Sequence, residues 1–278
     1  MINQLKDFVQ AHPRLLVLTG AGCSAGSGIP TYRDHRGSWQ RSNPIQHQEF
    51  ISRPASRKRY WARSYVGWPP VCNARPNPAH LALARLEGRG VVTTLVTQNV
   101  DRLHQKAGHR QVVDLHGRLD QVLCLNCRHL TERDEIQRRL DALNPHLAEL
   151  DTAWALAPDG DADVADRLVE QMRVPDCRFC GGTLKPNVVF FGDSVDRQLV
   201  SFVFDALTDS DALLVVGSSL MVFSGFRFCR HAAQHGKPIA CINVGRTRAD
   251  ELFSLKVEMD CGDALQQLEG VLDIGNSG

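Results

Sequence analysis

No apolar run in these 278 residues approaches the roughly 18 that a membrane span needs. The opening stretch MINQLKDFVQ has neither a signal-type apolar segment nor an Arg-rich transit character. Charge of one sign is missing too: 32 Lys and Arg stand against 31 Asp and Glu, and a formal net charge of +1 gives no long-range pull toward nucleic acid or an anionic membrane. There is no internal repeat and no low-complexity tract, and only the closing GNSG reads as disordered. An even cysteine count is also absent. Nine cysteines, several inside apolar runs such as PIACINVG, argue against a secreted disulfide framework and for a reducing compartment. The expectation is a soluble cytoplasmic protein with no direct nucleic-acid partner and no membrane partner. Oligomeric state is not legible.

What is present is a series of short apolar runs that end in glycine or polar residues: LLVLTG, VVTTLVTQN, QVVDLHG, PNVVFFG, ALLVVGSSL, PIACINVG and LKVEMDCG. Continuous rather than alternating hydrophobicity marks strands buried on both faces, hence a parallel sheet covered by helices. Helical patterns fall at 2–11, 78–87, 195–209, 225–236 and 263–272. The fold class expected is α/β, a Rossmann-like doubly wound parallel sheet with a small zinc-binding domain. The sheet domain is expected to comprise 1–34, 77–118 and 185–274, and two excursions, 35–76 and 119–184, to form the small helical, zinc-binding domain.

The second excursion carries CLNC (Cys124, Cys127) and CRFC (Cys177, Cys180). Each C-x-x-C knuckle directs two thiolates at one ion, and four thiolates in a tetrahedron make a closed structural Zn²⁺ site. A redox pair or four unrelated buried cysteines are the alternatives. The separation of the knuckles requires a helical insert to loop out between them.

Ligands of open α/β sheets bind at the carboxyl ends of the strands. Here those ends read TGAGCSAGSGIPTYRD, TQNVDRLH, LHG, FFG, GSSL, NVG and CGD. Gly20, Gly22 and Ala25 fit the G-x-G-x-x-G/A spacing of a dinucleotide turn. No acidic residue closes the second strand, as a dehydrogenase would need, and the glycines run on through Gly26 and Gly28. By residue type alone, Asn99 and Asp101 read equally as a helix cap and first-turn acid, His116 as a satisfied strand-end histidine, and Ser218, Ser219 and Asn243 as turn formers.

Taken in order, GAGCSAGSGIPTYRD, TQNVDRLH, LHG, the two knuckles, KPNVVFFGD, GSSL and INVG resemble the sirtuin family of NAD⁺-dependent protein-lysine deacylases and ADP-ribosyltransferases. The resemblance runs from Leu15 to about Leu268, and GWPP…PNPAH, LAPDGD, VVFFGD and DCGD place it near the class II branch, whose activities include ADP-ribosyl transfer and lipoamidase. Cys23, Thr31, Tyr32 and Asp193 depart from the commonest family pattern.

The resemblance implies the following roles. NAD would contact Gly20, Ala21, Gly22 and Ser24 of the phosphate turn and Gly28, Ile29, Pro30, Thr31, Tyr32 and Arg33 of the loop that folds over the nicotinamide ribose. Gln98, Asn99, Val100 and Asp101 would hold the nicotinamide carboxamide and ribose, and Gly217, Ser218, Ser219, Asn243, Val244, Gly245 and Cys261 the adenosine side. His116 would be the general base, with Asn99 and Asp101 completing the catalytic set. An acyl-lysine protein or peptide would pair its main chain between NVVFFG and SLMVF, with Val188, Phe190 and Phe191 walling the lysine stem. Tyr60 and Arg63 stand at the Y-x-x-R spacing that sirtuins selective for acidic acyl groups use. A non-catalytic, NAD-sensing, zinc-stabilised binding protein is the alternative reading.

Overall fold

The computed structural model describes residues 1–32, 34, 36, 44–147 and 166–274. Among these, nine strands form in chain order: β1 (Leu15–Thr19), β2 (Val92–Thr97), β3 (Val112–Asp114), β4 (Gly117–Cys124), β5 (Leu130–Glu132), β6 (Leu184–Val188), β7 (Ala212–Val216), β8 (Ile239–Ile242) and β9 (Leu255–Val257). Six of them make a sheet of order β3-β2-β1-β7-β8-β9 in which every neighbouring pair is parallel. The remaining three make an antiparallel sheet, β5-β4-β6.

Each parallel strand serves two cores, because successive side chains point to opposite faces. Leu15 and Val17 pack with helices Ile2–Ala11, Pro78–Gly88 and Cys261–Ile274. Leu16 and Leu18 pack with helices Arg197–Asp209 and Phe223–Gln234. All four side chains have no exposed surface; at about 2 kcal/mol for each large apolar side chain buried, β1 is the anchor of the sheet. The chain order reverses beside it, since β2 lies on one side and β7 on the other.

Two expectations about strands are corrected. PNVVFFG is not a strand of the parallel sheet: Leu184–Val188 pairs antiparallel with β4, with Lys185 opposite Leu123 and Pro186 opposite Val122. A continuous apolar run reports burial but not the partner, and Leu184 is buried in a separate cluster with Phe50, Tyr60 and Trp61. The strand Gly117–Cys124 was not anticipated, although Leu119, Val122 and Cys124 are its buried positions.

That cluster joins the two excursions. Phe50, Tyr60, Trp61 and Ala62 from helices His47–Ser52 and Pro54–Asn73 pack with Ile136, Leu140, Leu168 and Met172 from the region between the knuckles. A buried cation pins the seam: Arg133 donates to Ser64 O at 3.0 Å and lies 5.5 and 5.4 Å from the rings of Trp61 and Trp68. Burial draws its pKa down to about 10, so it keeps its charge at neutral pH. Trp68 Nε1 then donates to Asp134 Oδ1 at 2.7 Å. The expected insert contains helices Arg133–Leu143 and Asp166–Gln171, and residues 148–165 lie outside the described residues.

The four knuckle sulfurs converge, with Cys124 Sγ 3.5 Å from Cys180 Sγ and Cys127 Sγ 3.8 Å from Cys177 Sγ. Sulfurs at about 2.3 Å from a tetrahedral zinc ion stand about 3.8 Å apart, whereas a disulfide requires about 2.0 Å. The donor set therefore fits zinc, with no position left for substrate. The purified protein is expected to carry one zinc per chain by elemental analysis, and a strong chelator should lower its Tm by more than about 10 °C. An unchanged Tm after verified metal removal would show that the cluster is not structural.

Behind the carboxyl ends of β1 and β2 lies a row of buried imidazoles. The rings of His80 and His104 are 4.7 Å apart and those of His104 and His109 5.4 Å, and Thr19 Oγ1 joins His104 Nε2 and Thr97 Oγ1, both at 2.9 Å. Burial lowers all three pKa values, with His80 drawn to about 4 and His104 well below the ordinary range. The unfolded chain takes up protons near pH 6.5 while the fold resists them, so stability falls as pH drops from 6.5 toward 4. Each imidazole kept neutral costs up to about 1.4 kcal/mol per pH unit in that window. Thermal melts between pH 7 and pH 5 should show this slope, and His104→Gln should flatten it whatever its effect on Tm at pH 7; an equal slope in the variant would contradict the account.

Candidate active site

The reversal of chain order at β1 and β7 opens a crevice between their carboxyl ends. Two turns meet there at close quarters. Gly22 N donates to Gly217 O at 2.8 Å, and Gly20 N to Val216 O at 3.1 Å. Gly217 has φ +62°, and a Cβ on it would lie 2.2 Å from Cys23 N; one on Gly20 would lie 2.7 Å from Ser218 Cβ. Backbone contact at that distance is open to glycine alone. The turns border a cleft of about 760 Å³.

One wall is a chain of polar side chains at the ends of β1 and β2. Asn99 Nδ2 donates to Gly20 O at 2.9 Å and Ser24 Oγ at 3.0 Å, and Ser24 Oγ donates to Asp101 Oδ2 at 2.7 Å. Asp101 Oδ1 accepts from Leu103 N at 2.9 Å. Burial is the largest influence on Asp101 and raises its pKa; the Leu103 and Ser24 hydrogen bonds oppose it. Gln98 Nε2 reaches across to Ser218 Oγ at 2.8 Å, tying the second strand end to the β7 turn.

His116 follows β3 and is held at both nitrogens. Nδ1 lies 3.0 Å from Gln98 O, and Nε2 lies 2.7 Å from Ser224 Oγ. A carbonyl only accepts, so Nδ1 carries the ring proton and the neutral imidazole presents a bare Nε2, which accepts from the Ser224 hydroxyl. Burial lowers the pKa to about 4, with the Arg227 guanidinium adding to the effect and the Gln98 carbonyl opposing it. At neutral pH the ring is a free base. The cysteine thiols nearby are no rivals as nucleophiles, because burial pushes Cys261 up to about 12 and Cys23 well above its ordinary range.

Most of the expected site residues share this cleft. Gly20, Ala21, Gly22, Ser24, Ile29, Thr31, Tyr32, Gln98, Asn99, Val100, Asp101, His116, Gly217, Ser218, Ser219, Asn243, Val244 and Cys261 line it, as do Tyr60, Val188, Phe190 and Phe191. Gly28, Pro30 and Gly245 are not on its wall: Gly28 is an exposed left-handed turn end at φ +81°, and Gly245 O accepts from Lys256 Nζ at 2.9 Å. Arg33 lies outside the described residues. Arg63 shares a helix with Tyr60 but does not line the cleft. A three-residue step turns about 60° off the first side chain, and Tyr60 is the one seated against Phe50 and Phe190 at ring distances of 5.6 and 5.3 Å. Sequence reasoning missed Ser224 and Arg227, which face His116 from helix Phe223–Gln234.

The donor set suits a dinucleotide: glycine turns admit a pyrophosphate close to the backbone, amide and hydroxyl groups face the cleft, and Val244 and Phe223, 59% and 46% exposed, offer open apolar faces on its wall. The comparisons agree. The chain is 57% identical over 263 residues to an "NAD-dependent protein deacetylase" of Xanthomonas axonopodis pv. citri, covering 95% of this chain and 89% of that protein. It is 48% identical over 270 residues to the "NAD-dependent protein deacylase Sirt4" of Drosophila melanogaster, covering 96% and 86%. Among solved structures, "Sir2-p53 peptide-NAD+" superposes with a TM-score of 0.77 at 26% identity, covering 99% of both chains. The sequence model of the Sir2 family matches residues 20–224, and the chain belongs to that family.

Proposed function

We propose that the protein is an NAD-dependent protein-lysine deacylase, and that the neutral His116, held with its bare Nε2 toward the cleft, is its general base. The single observation that carries the reading is the pair of hydrogen bonds fixing that tautomer, from Nδ1 to Gln98 O and from Ser224 Oγ to Nε2. The named activities of relatives that cover almost the whole chain support it, as do Sir2 structures bound to acetylated and propionylated peptides. No observation favours the non-catalytic sensor, which needs no base beside the ribose.

NAD⁺, when bound, would supply the ribose carbon that bonds the acyl-lysine oxygen as its bond to nicotinamide breaks; with one water the products would be free lysine and O-acyl-ADP-ribose. The protein's part is positioning and proton transfer. The turn Gly20–Ser24 and the residues Ser218, Ser219 and Asn243 hold the two ends of the dinucleotide, and the Asn99–Ser24–Asp101 chain fixes the nicotinamide side. Ser224 keeps Nε2 aimed into the cleft until a ribose hydroxyl takes its place and gives up its proton. Val188, Phe190 and Tyr60 exclude water around the lysine stem. The four-cysteine zinc site, within an excursion domain formed by 35–76 and 119–184, braces this wall, while 1–34, 77–118 and 185–274 carry the dinucleotide. Nine cysteines outside any disulfide, four of them at the zinc site, support a cytoplasmic setting.

Nicotinamide release should require an acyl-lysine peptide, and acetyl, succinyl, glutaryl-type and lipoyl peptides assayed with wild type and His116→Ala test this. The variant should lose about 10²- to 10⁴-fold in kcat; equal release by both proteins would overturn the assignment of the base. The acid limb of kcat/KM should fall well below pH 6, following the free-enzyme value of about 4 for His116. Ser224→Ala removes the hydroxyl that positions Nε2 but leaves the ring buried, so kcat should fall while the acid limb stays well below pH 6; an unchanged kcat would remove Ser224 from the positioning of the base.

A further inference from the structure

Phe223 begins helix Phe223–Gln234, lines the cleft and is 46% exposed. Three guanidinium groups surround its ring: Arg227 at 5.2 Å, Arg248 at 5.9 Å and Arg230 at 6.0 Å. Arg248 also lies 4.5 Å from the ring of Phe226, and Arg246 joins Arg227 on the cleft wall. Among the described residues no carboxylate forms a salt bridge with any of these four arginines. The nearby Asp250 is already held by Lys256 Nζ at 3.1 Å and Thr247 Oγ1 at 2.7 Å. Arg227 Nε is buried without a hydrogen-bond partner. In a chain of net charge +1 this is a local concentration of uncompensated positive charge. The aromatic rings orient the guanidinium groups but leave their charge unneutralised.

We propose that this arginine cluster selects acyl-lysine substrates that carry aspartate or glutamate within a few residues of the modified lysine. The inference rests on the deacylase reading of the same cleft. The segments Ser218–Phe223 and Val188–Val195 both line the cleft, and a peptide pairing its main chain with both, as the deacylase reading implies, would lie alongside the Phe223 ring. A carboxylate there meets planar donors suited to bidentate pairing. The surrounding field raises its rate of encounter. A cofactor phosphate is the other anion such a cluster could hold, and the experiment separates the two.

Three acyl-lysine peptides, identical except for two flanking Glu, Gln or Lys residues, are assayed by nicotinamide release with wild type, Arg230→Glu and the double variant R230Q/R248Q. Arg230 and Arg248 are exposed, and thermal melts verify that the variants are folded. Wild type should show a KM for the Glu peptide about tenfold below that for the Gln peptide at similar kcat, an advantage that shrinks as salt rises from about 50 to about 500 mM. R230Q/R248Q should lose the preference while turning over the Gln peptide as wild type does, and Arg230→Glu should shift preference to the Lys peptide. Equal KM values for the Glu and Gln peptides in wild type, a preference that survives in R230Q/R248Q, or a change confined to the KM for NAD would each overturn the proposal. Should wild type turn over none of the peptides, the deacylase reading falls, and the same Glu-against-Gln comparison of affinities by fluorescence anisotropy decides the acidic preference on its own.

Discussion

The contact between the Gly20–Cys23 turn and Gly217 sets the rest of the site. The strands β1 and β7 are paired to their last residues, and the turns that follow them at the reversal of sheet order are held together by the bond from Gly22 N to Gly217 O, 2.8 Å long. Any side chain at Gly217 would collide with Cys23 N, so the approach exists only because glycine occupies that position at φ +62°. Gln98 spans the same gap with its bond to Ser218, and its carbonyl at 3.0 Å fixes the proton of His116. Sheet topology, turn chemistry and the protonation state of the base are therefore one connected argument.

Burial controls the electrostatics of this region. The imidazoles of His80, His104 and His116 are all kept neutral by desolvation, whereas Arg230 and Arg248 beside Phe223 are exposed. On the proposed reading the base works unprotonated at the floor of the cleft, and an acidic substrate is recognised by charge at its rim. The two functions share one helix: Ser224 bonds His116 Nε2, Phe223 and Arg230 are exposed, and Arg227 belongs to both groups, lowering the His116 pKa while standing 5.2 Å from the Phe223 ring.

Much of the site was legible because its chemistry is concentrated in short contiguous strings at strand ends. GAGCSAG, TQNVD, LHG and the two knuckles each place several functional groups within one turn of chain, and that local spacing survives folding. The partner of His116 was not legible: Ser224 is 108 residues away and reads as an ordinary helix-start serine. Arg133 was hidden for a similar reason, since an arginine in a charged helical stretch reads as surface until two tryptophans from another excursion cover it. PNVVFFG was misplaced because hydrophobicity alone does not say which sheet a buried strand joins. The Tyr60–Arg63 spacing shows the converse: residues on neighbouring helix positions need not reach the same cavity.

The central claim is that His116 presents an unprotonated Nε2 to the cleft at neutral pH, and nitrogen-15 NMR of the imidazole tests it without any assumption about substrate. The account predicts a neutral ring at pH 7, protonated at Nδ1, with its titration midpoint near 4. A charged ring at pH 6, or a neutral one carrying its proton on Nε2, would contradict it.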